Sequence, residues 1–215
     1  MLPVGVMRKI KMKTCHSAIF AVLLISNSLN AAECIYVPKQ TTENPYPELS
    51  PQGNCGQLLT QDTFQLGESH FNKLYFSKNG LASFFYEGSV FYVSKAGKVV
   101  RAYFFDNAAD YFVEGVARTI LNNKFGYIDE QLNVVIKPEY DFVFPFKNEV
   151  AVVCNGCRFE PDGEHNIVVD GKWGAINKSG KIVIPIKQSK NALLENPKYK
   201  RILNLEKSVD RSDKL

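Results

Sequence analysis

The chain has 215 residues, with 26 Lys and Arg against 22 Asp and Glu and a formal charge of +4. Arg8, Lys9, Lys11 and Lys13 supply that excess, so the rest of the chain is close to neutral and lacks the basic footprint of a nucleic-acid binder. About 180 residues lie beyond the N-terminal stretch, enough for one domain with a real core.

The basic stretch is followed by the apolar run Ala18-Ile19-Phe20-Ala21-Val22-Leu23-Leu24-Ile25, then by small and polar residues from Ser26 to Ala32. This is the order of a secretory signal, so residues 1–32 are read as a signal peptide cleaved near Ala31 or Ala32. The apolar run falls short of the roughly 20 residues that span a bilayer, and no stable membrane insertion is expected after cleavage. Glu33 stands between Ala32 and Cys34, which argues against a lipidated N-terminal cysteine. The expected address is periplasmic or secreted.

Cys15 leaves with the signal, and Cys34, Cys55, Cys154 and Cys157 remain. An even number in an exported chain favours disulfides. Three pairings are open to four cysteines, and spacing alone does not choose among them. Cys34–Cys55 with Cys154–Cys157 is the favoured set. The first bond would staple the segment holding Pro38, Pro45, Pro47, Pro51 and Gly53, which has no apolar periodicity. Residues 33–75 are therefore read as a disulfide-tied extension.

From residue 76 to 187 the chain is rich in β-branched and aromatic residues, in short runs separated by Gly, Asn, Asp and Lys. That is the texture of strands and hairpins. The runs also repeat. Phe76 to Ala82, Phe112 to Ala117 and Phe146 to Ala151 share an aromatic, a polar turn, an aliphatic residue and Ala, with Ala82, Ala117 and Ala151 about 35 residues apart. A second pattern has a similar spacing between its first two copies: Tyr92 to Val100, Tyr127 to Val135 and Ala175 to Val183. Gly97 and Gly180 fall where a bulged hairpin needs positive φ. Pro138 and Pro185 are expected to end their strands, since proline donates no ladder hydrogen bond. The fold class expected is mainly β, with about three antiparallel β-hairpin units and a short C-terminal helix.

Lys172-Trp173-Gly174-Ala175-Ile176-Asn177-Lys178-Ser179-Gly180-Lys181-Ile182-Val183-Ile184-Pro185 resembles the core of the WG (KWG) repeat. Lys124-Phe125-Gly126-Tyr127-Ile128-Asp129 resembles a second copy with Phe125 in the tryptophan place, and Asn79 to Lys124 a third that has neither Trp nor the following Gly. The resemblance covers about residues 76–186. It implies a β-hairpin repeat protein with a binding or scaffolding role, and it brings no catalytic residues.

The third unit is longer by about 14 residues, Cys154 to His165 being the extra material. It stands where the neighbouring units have a short connection, a place that tolerates insertions and often carries function. Arg158, Phe159, Glu160, Asp162 and His165 are the candidate binding loop. Cys154-Asn155-Gly156-Cys157 is read as a structural disulfide at a hairpin tip. A dithiol redox pair and a zinc site completed by His165, Cys34 and Cys55 are the alternatives. Residues 188–215 form a charged tail, partly helical or disordered.

No GxSxG elbow, no HExxH and no Gly-rich loop opening a helix is present in the sequence. No catalytic, cofactor-binding or metal-binding residue is assigned, and no cofactor is expected. The expected function is non-enzymatic: an exported β-repeat protein that binds a protein or an envelope component. An envelope thiol–disulfide protein is one alternative. Another is a carbohydrate-binding or carbohydrate-active protein, given rows such as Phe84-Phe85-Tyr86 and Tyr103-Phe104-Phe105, which either pack in the core or expose an aromatic face.

Overall fold

A computed structural model describes residues 32–203. The expected signal segment up to Ala31, and residues 204–215 of the tail, lie outside them. No helix among the described residues is long and apolar enough to cross a membrane.

The chain is built mainly of antiparallel strands. It starts with β1 (Cys34–Tyr36) and β2 (Ser50–Pro51), the hairpin β3 (Gly56–Thr60) and β4 (Thr63–Leu66), and one turn of helix, α1 (Glu68–Phe71). Cys34 and Cys55 are bonded, with their Cα atoms 5.7 Å apart. Three meanders follow. The first is β5 (Leu81–Tyr86), β6 (Ser89–Ser94) and β7 (Val99–Ala102). After a linker holding β8 (Phe104–Phe105) and β9 (Ala108–Ala109) comes the second: β10 (Val116–Leu121), β11 (Lys124–Asp129) and β12 (Val134–Tyr140). β13 (Phe142–Val143) leads to the third: β14 (Val150–Asp162), β15 (His165–Asn177) and β16 (Ile182–Gln188). Two short helices close the described chain, α2 (Lys190–Glu195) and α3 (Pro197–Ile202).

The register shows why the sequence repeats. Ala82 faces Val93, Ala117 faces Ile128 and Ala151 faces Ile176. All six are buried. The small residue lets the preceding layer close onto the aliphatic partner. Leu81 thus packs with Ala117, Ile128 and Leu132 between the first two units. The segment leading into each next unit is held the same way twice. Phe112 lies on Tyr92 (ring centroids 5.2 Å) and Phe146 on Tyr127 (4.7 Å). The two phenols donate to the carbonyl oxygens of Asp110 and Phe144, at 2.5 Å each. Burial raises both phenol pKa values well above the ordinary one, which keeps them donors.

The glycine after the large aromatic has a specific task. A Cβ on Gly126 would stand 2.4 Å from the Ile136 carbonyl oxygen, and one on Gly174 would stand 2.5 Å from that of Ile184. The returning strand presses against the bare backbone, and in both units the ladder slips there: Phe125 faces Tyr140 but Tyr127 faces Ile136, and Trp173 faces Gln188 but Ala175 faces Ile184. In the first unit Phe91 holds the equivalent place, and the ladder from Val90 to Val93 runs without a bulge. Phe125 and Trp173, just before these glycines, are buried, and the Trp173 Nε1–H donates to the Asp170 carbonyl oxygen at 2.7 Å. Pro138 and Pro185 correct the expectation that they end strands. Both lie within bulged strands that continue to Tyr140 and Gln188, because a bulge removes the ladder bond that proline cannot make.

The second hairpin of each unit has a matching cap. Asp129 accepts from the Gln131 and Asn133 N–H groups, and Asn177 from those of Ser179 and Lys181. Gly97 and Gly180 supply the positive φ, as expected, but the second unit uses Leu132 at φ 61°, with its side chain buried against the first unit. Turns also touch from unit to unit. Lys98 Nζ donates to Asn133 Oδ1 at 2.7 Å, and the Glu114 carboxylate accepts the N–H groups of Asn148 and Glu149.

The N-terminal segment is bonded into the first unit. β1 pairs with β5, and Phe64 of β4 packs on Phe84, Tyr86 and Phe91. At the far end the tail is not simply solvated up to residue 203. α2 begins before Pro197, and Leu193 and Leu203 are buried in the core cluster shared by the second and third units. Of the aromatic rows, Phe84 is core, while Phe104 and Phe105 are exposed.

Candidate functional site

The long strands β14 and β15 set the third unit apart. In the second unit the equivalent strands are joined by Asn122-Asn123 alone. In the third the ladder runs on from Asn155↔Lys172 to Asp162↔His165 and turns at Gly163-Glu164. The expected binding loop is therefore a two-stranded arm. The β-branched run Ile167-Val168-Val169 supplies the returning strand.

Strand alternation sorts the candidate residues. Arg158, Glu160, Asp162 and His165 share one face with their cross-strand neighbours Val169 and Ile167. Arg158 forms ion pairs with Glu160 and with Asp170, the latter at 3.1 Å. Phe159 lies on the other face with Val168, and its ring centroid is 5.6 Å from that of Phe142 and 6.3 Å from that of Phe125. Thus Phe159 pins the arm against the second unit, while the other four candidates stay together on the outward face. Ile167, 42% exposed, was missed in the sequence. Reading Arg158 to Asp162 and His165 to Val169 as paired strands would have placed it there.

The root of the arm is tightly fixed. Cys154 and Cys157 are bonded, with Cα atoms 6.1 Å apart, and they lie within β14 rather than at a hairpin tip. The backbone turns left-handed at Gly156 (φ 75°), Asp170 (φ 59°) and Gly171 (φ 77°). A Cβ on Gly171 would stand 2.5 Å from Cys154 Sγ and 2.6 Å from the Cys157 nitrogen, so the glycine makes room for the disulfide. Asp141 ties the root to the second unit: its carboxylate accepts the Gly156 N–H at 2.6 Å and Lys124 Nζ at 2.5 Å. Burial opposes the Asp141 charge, but the Lys124 and Gly156 bonds outweigh it and the carboxyl pKa is lowered.

This arrangement bears on the chemical alternatives. Cys154 is fully buried, the setting of a structural cysteine rather than of an attacking thiol. His165 sits at the arm tip, five ladder positions from Cys157, and Cys34 and Cys55 are bonded to each other in the N-terminal segment, so the geometry does not bring the zinc alternative's residues together. Other charged groups act within the scaffold. Asp110 and Arg118, both 3% exposed, form a bidentate pair (2.5 and 3.0 Å), with the guanidinium over the rings of Tyr103 and Phe105.

No curated protein and no solved structure matches the chain. The family model described as WG containing repeat matches residues 125–156 and 173–187. The match covers the strands with the Phe-Gly and Trp-Gly pairs, and it breaks off at Gly156 and resumes at Trp173, leaving out the arm. Residues 125–156 and 173–187 of this chain therefore match the WG containing repeat, and the arm lies between the two matched segments.

Proposed function

We propose that this is an exported, non-enzymatic β-repeat protein whose arm binds a protein or another component of the cell envelope. The observation that carries the reading is the outward face of the arm: Ile167 and Val169 set among Arg158, Glu160, Asp162 and His165, on a ladder that the repeat scaffold does not need. An apolar centre with a polar rim is the anatomy of a protein-binding patch. The N-terminal order of basic, apolar and small residues supports export. The engagement of Asp110, Glu114, Asp129 and Asp141 in ion pairs and turn caps supports a scaffold rather than a catalyst.

The test is site-specific photo-crosslinking in intact cells. A photoreactive residue at Ile167 should give a discrete adduct that the same probe at Lys95, in a turn of the first unit, does not give. Equal patterns from both positions would remove the support for the arm. A second reading, carbohydrate binding, draws on Phe104 and Phe105, which are 49% and 44% exposed on adjacent strand positions. Glycan binding that is lost in Phe104→Ala would favour it.

A further inference from the structure

The repeat makes each unit cover the one before it. Leu81, the first residue of β5, is covered by Ala117, Ile128 and Leu132 of the second unit. Val116, the first residue of β10, packs into the cluster that holds Ala151 and Ile176 of the third. Val150 opens β14 in the same way, and among the described residues no fourth meander follows it. α2 and α3 cover this face only in part: Val150 and Val152 line an open groove of about 570 Å3 together with Leu193 and Leu203. Phe144 and Leu194, each 38% exposed, also line it.

The groove carries a charge signature. Among the described residues, its only charged lining side chains are Lys147 and Lys190, and neither makes an ion pair there. Lys190 Nζ lies 5.3 Å from the Trp173 ring centroid and 6.0 Å from that of Phe144. An apolar groove bordered, among the described residues, by two cations and no anion suits an apolar ligand that carries negative charge. At the two interfaces inside the chain, the group laid on the equivalent face belongs to a polypeptide segment, with Phe112 on Tyr92 and Phe146 on Tyr127. The chain's own continuation does not fit the charge. Residues 204–215 hold Glu206, Asp210 and Asp213 but also Lys207, Arg211 and Lys214.

We infer that this end groove is a docking site for an apolar peptide segment, flanked by acidic residues, of another protein. Lys190 Nζ also reaches the Val168 carbonyl oxygen of the arm (3.5 Å), but the groove is tested by peptide affinity and the arm by the Ile167 crosslink, so either can fail without the other. A random decapeptide display library selected on the full chain with its disulfides formed is the probe. Enriched peptides should combine large apolar residues with adjacent Asp or Glu. Their affinity, read by fluorescence anisotropy, should fall about tenfold or more in the Lys147→Glu/Lys190→Glu variant, and also in Leu194→Asp. The paired lysine change affects exposed or half-buried side chains, and an unchanged thermal transition will show that the variant is folded. The inference is overturned if nothing is enriched, if the enriched peptides lack acidic residues, or if they bind the charge-reversed variant equally well. It is also overturned if truncation after Leu203 raises affinity about tenfold, which makes the tail the occupant, or if sedimentation shows that a second copy closes the groove.

Discussion

Gly174→Ala adds one carbon in a place with no room for it. The new Cβ would stand 2.5 Å from the Ile184 carbonyl oxygen and 2.7 Å from the backbone nitrogen and Cα of Ile186. Carbon–oxygen contacts settle at about 3.3 Å or more, so β16 has to retreat by nearly 1 Å or the bulge has to open. All three atoms belong to backbone, and no side-chain rotation relieves the clash. Overpacking of this kind costs about 1–3 kcal/mol. Because Gly174 does not have positive φ, alanine returns about 0.5–1 kcal/mol through the unfolded chain. With only backbone to give way, the cost lies in the upper part of that range, and the net expectation is a loss of about 1–2.5 kcal/mol, or a melting temperature lower by about 2–10 °C for a domain of this size. Trp173, the only tryptophan and fully buried beside the site, reports urea unfolding by its fluorescence. Gly126→Ala should behave alike, its Cβ meeting Ile136 and Lys137 backbone. Gly88, at φ 71° with open space around it, should lose only about 1 kcal/mol on change to alanine. If Gly174→Ala unfolds at the same urea concentration as the parent chain or higher, the account of the Trp-Gly pair is wrong.

Leu132 should invert the usual order of substitutions: its φ of 61° suits glycine, so Leu132→Gly should be more stable than Leu132→Ala by about 1 kcal/mol in urea unfolding, although both lose the buried side chain. Asp110→Ala leaves Arg118 buried and unpaired and should cost about 3–5 kcal/mol, whereas Asp110→Ala/Arg118→Met should recover much of that loss in the same assay. Removing Cys34–Cys55, which closes 21 residues, should cost about 3 kcal/mol, more than removing Cys154–Cys157. The folded-state pKa of Glu114 is lowered, chiefly by the Glu149 N–H, and those of Asp129 and Asp141 are lowered where hydrogen bonds outweigh burial. Their contribution is therefore present above the ordinary carboxylate range near pH 4 and lost as pH falls through the depressed folded values. Melting temperature should fall on acidification below about pH 4, less steeply in Glu114→Gln/Asp129→Asn.

The repeat was legible because its physics is local. Ala82, Ala117 and Ala151 recur at one register position, and Gly97 and Gly180 sit where the turn needs positive φ. What escaped depends on contacts between units. Asn155-Gly156 reads as a turn, yet it lies in a ladder because Gly171 opposite it makes room for the disulfide and Asp141 from another unit satisfies the Gly156 N–H. Pro138 and Pro185 read as strand ends, but the glycines at 126 and 174 create bulges that take them. Asp110 and Arg118 have no local sign of burial, since it is the fold that brings them together under Tyr103 and Phe105. Leu132 replaces the turn glycine because its side chain gains a buried place against the first unit. The groove at Val150 has no local signature, since it arises from the absence of a following layer among the described residues.

Excising the arm separates scaffold from function most directly. Replacing residues 156–171 by Asn-Asn, the turn of the second unit, with Cys154→Val to avoid a lone thiol, should leave a cooperative unfolding transition reported by Trp173. The same protein should lose the partner that crosslinks through Ile167. A chain that no longer folds would contradict the reading of the arm as an insertion into a complete repeat. A folded chain that still captures the partner would contradict the arm as its binding surface.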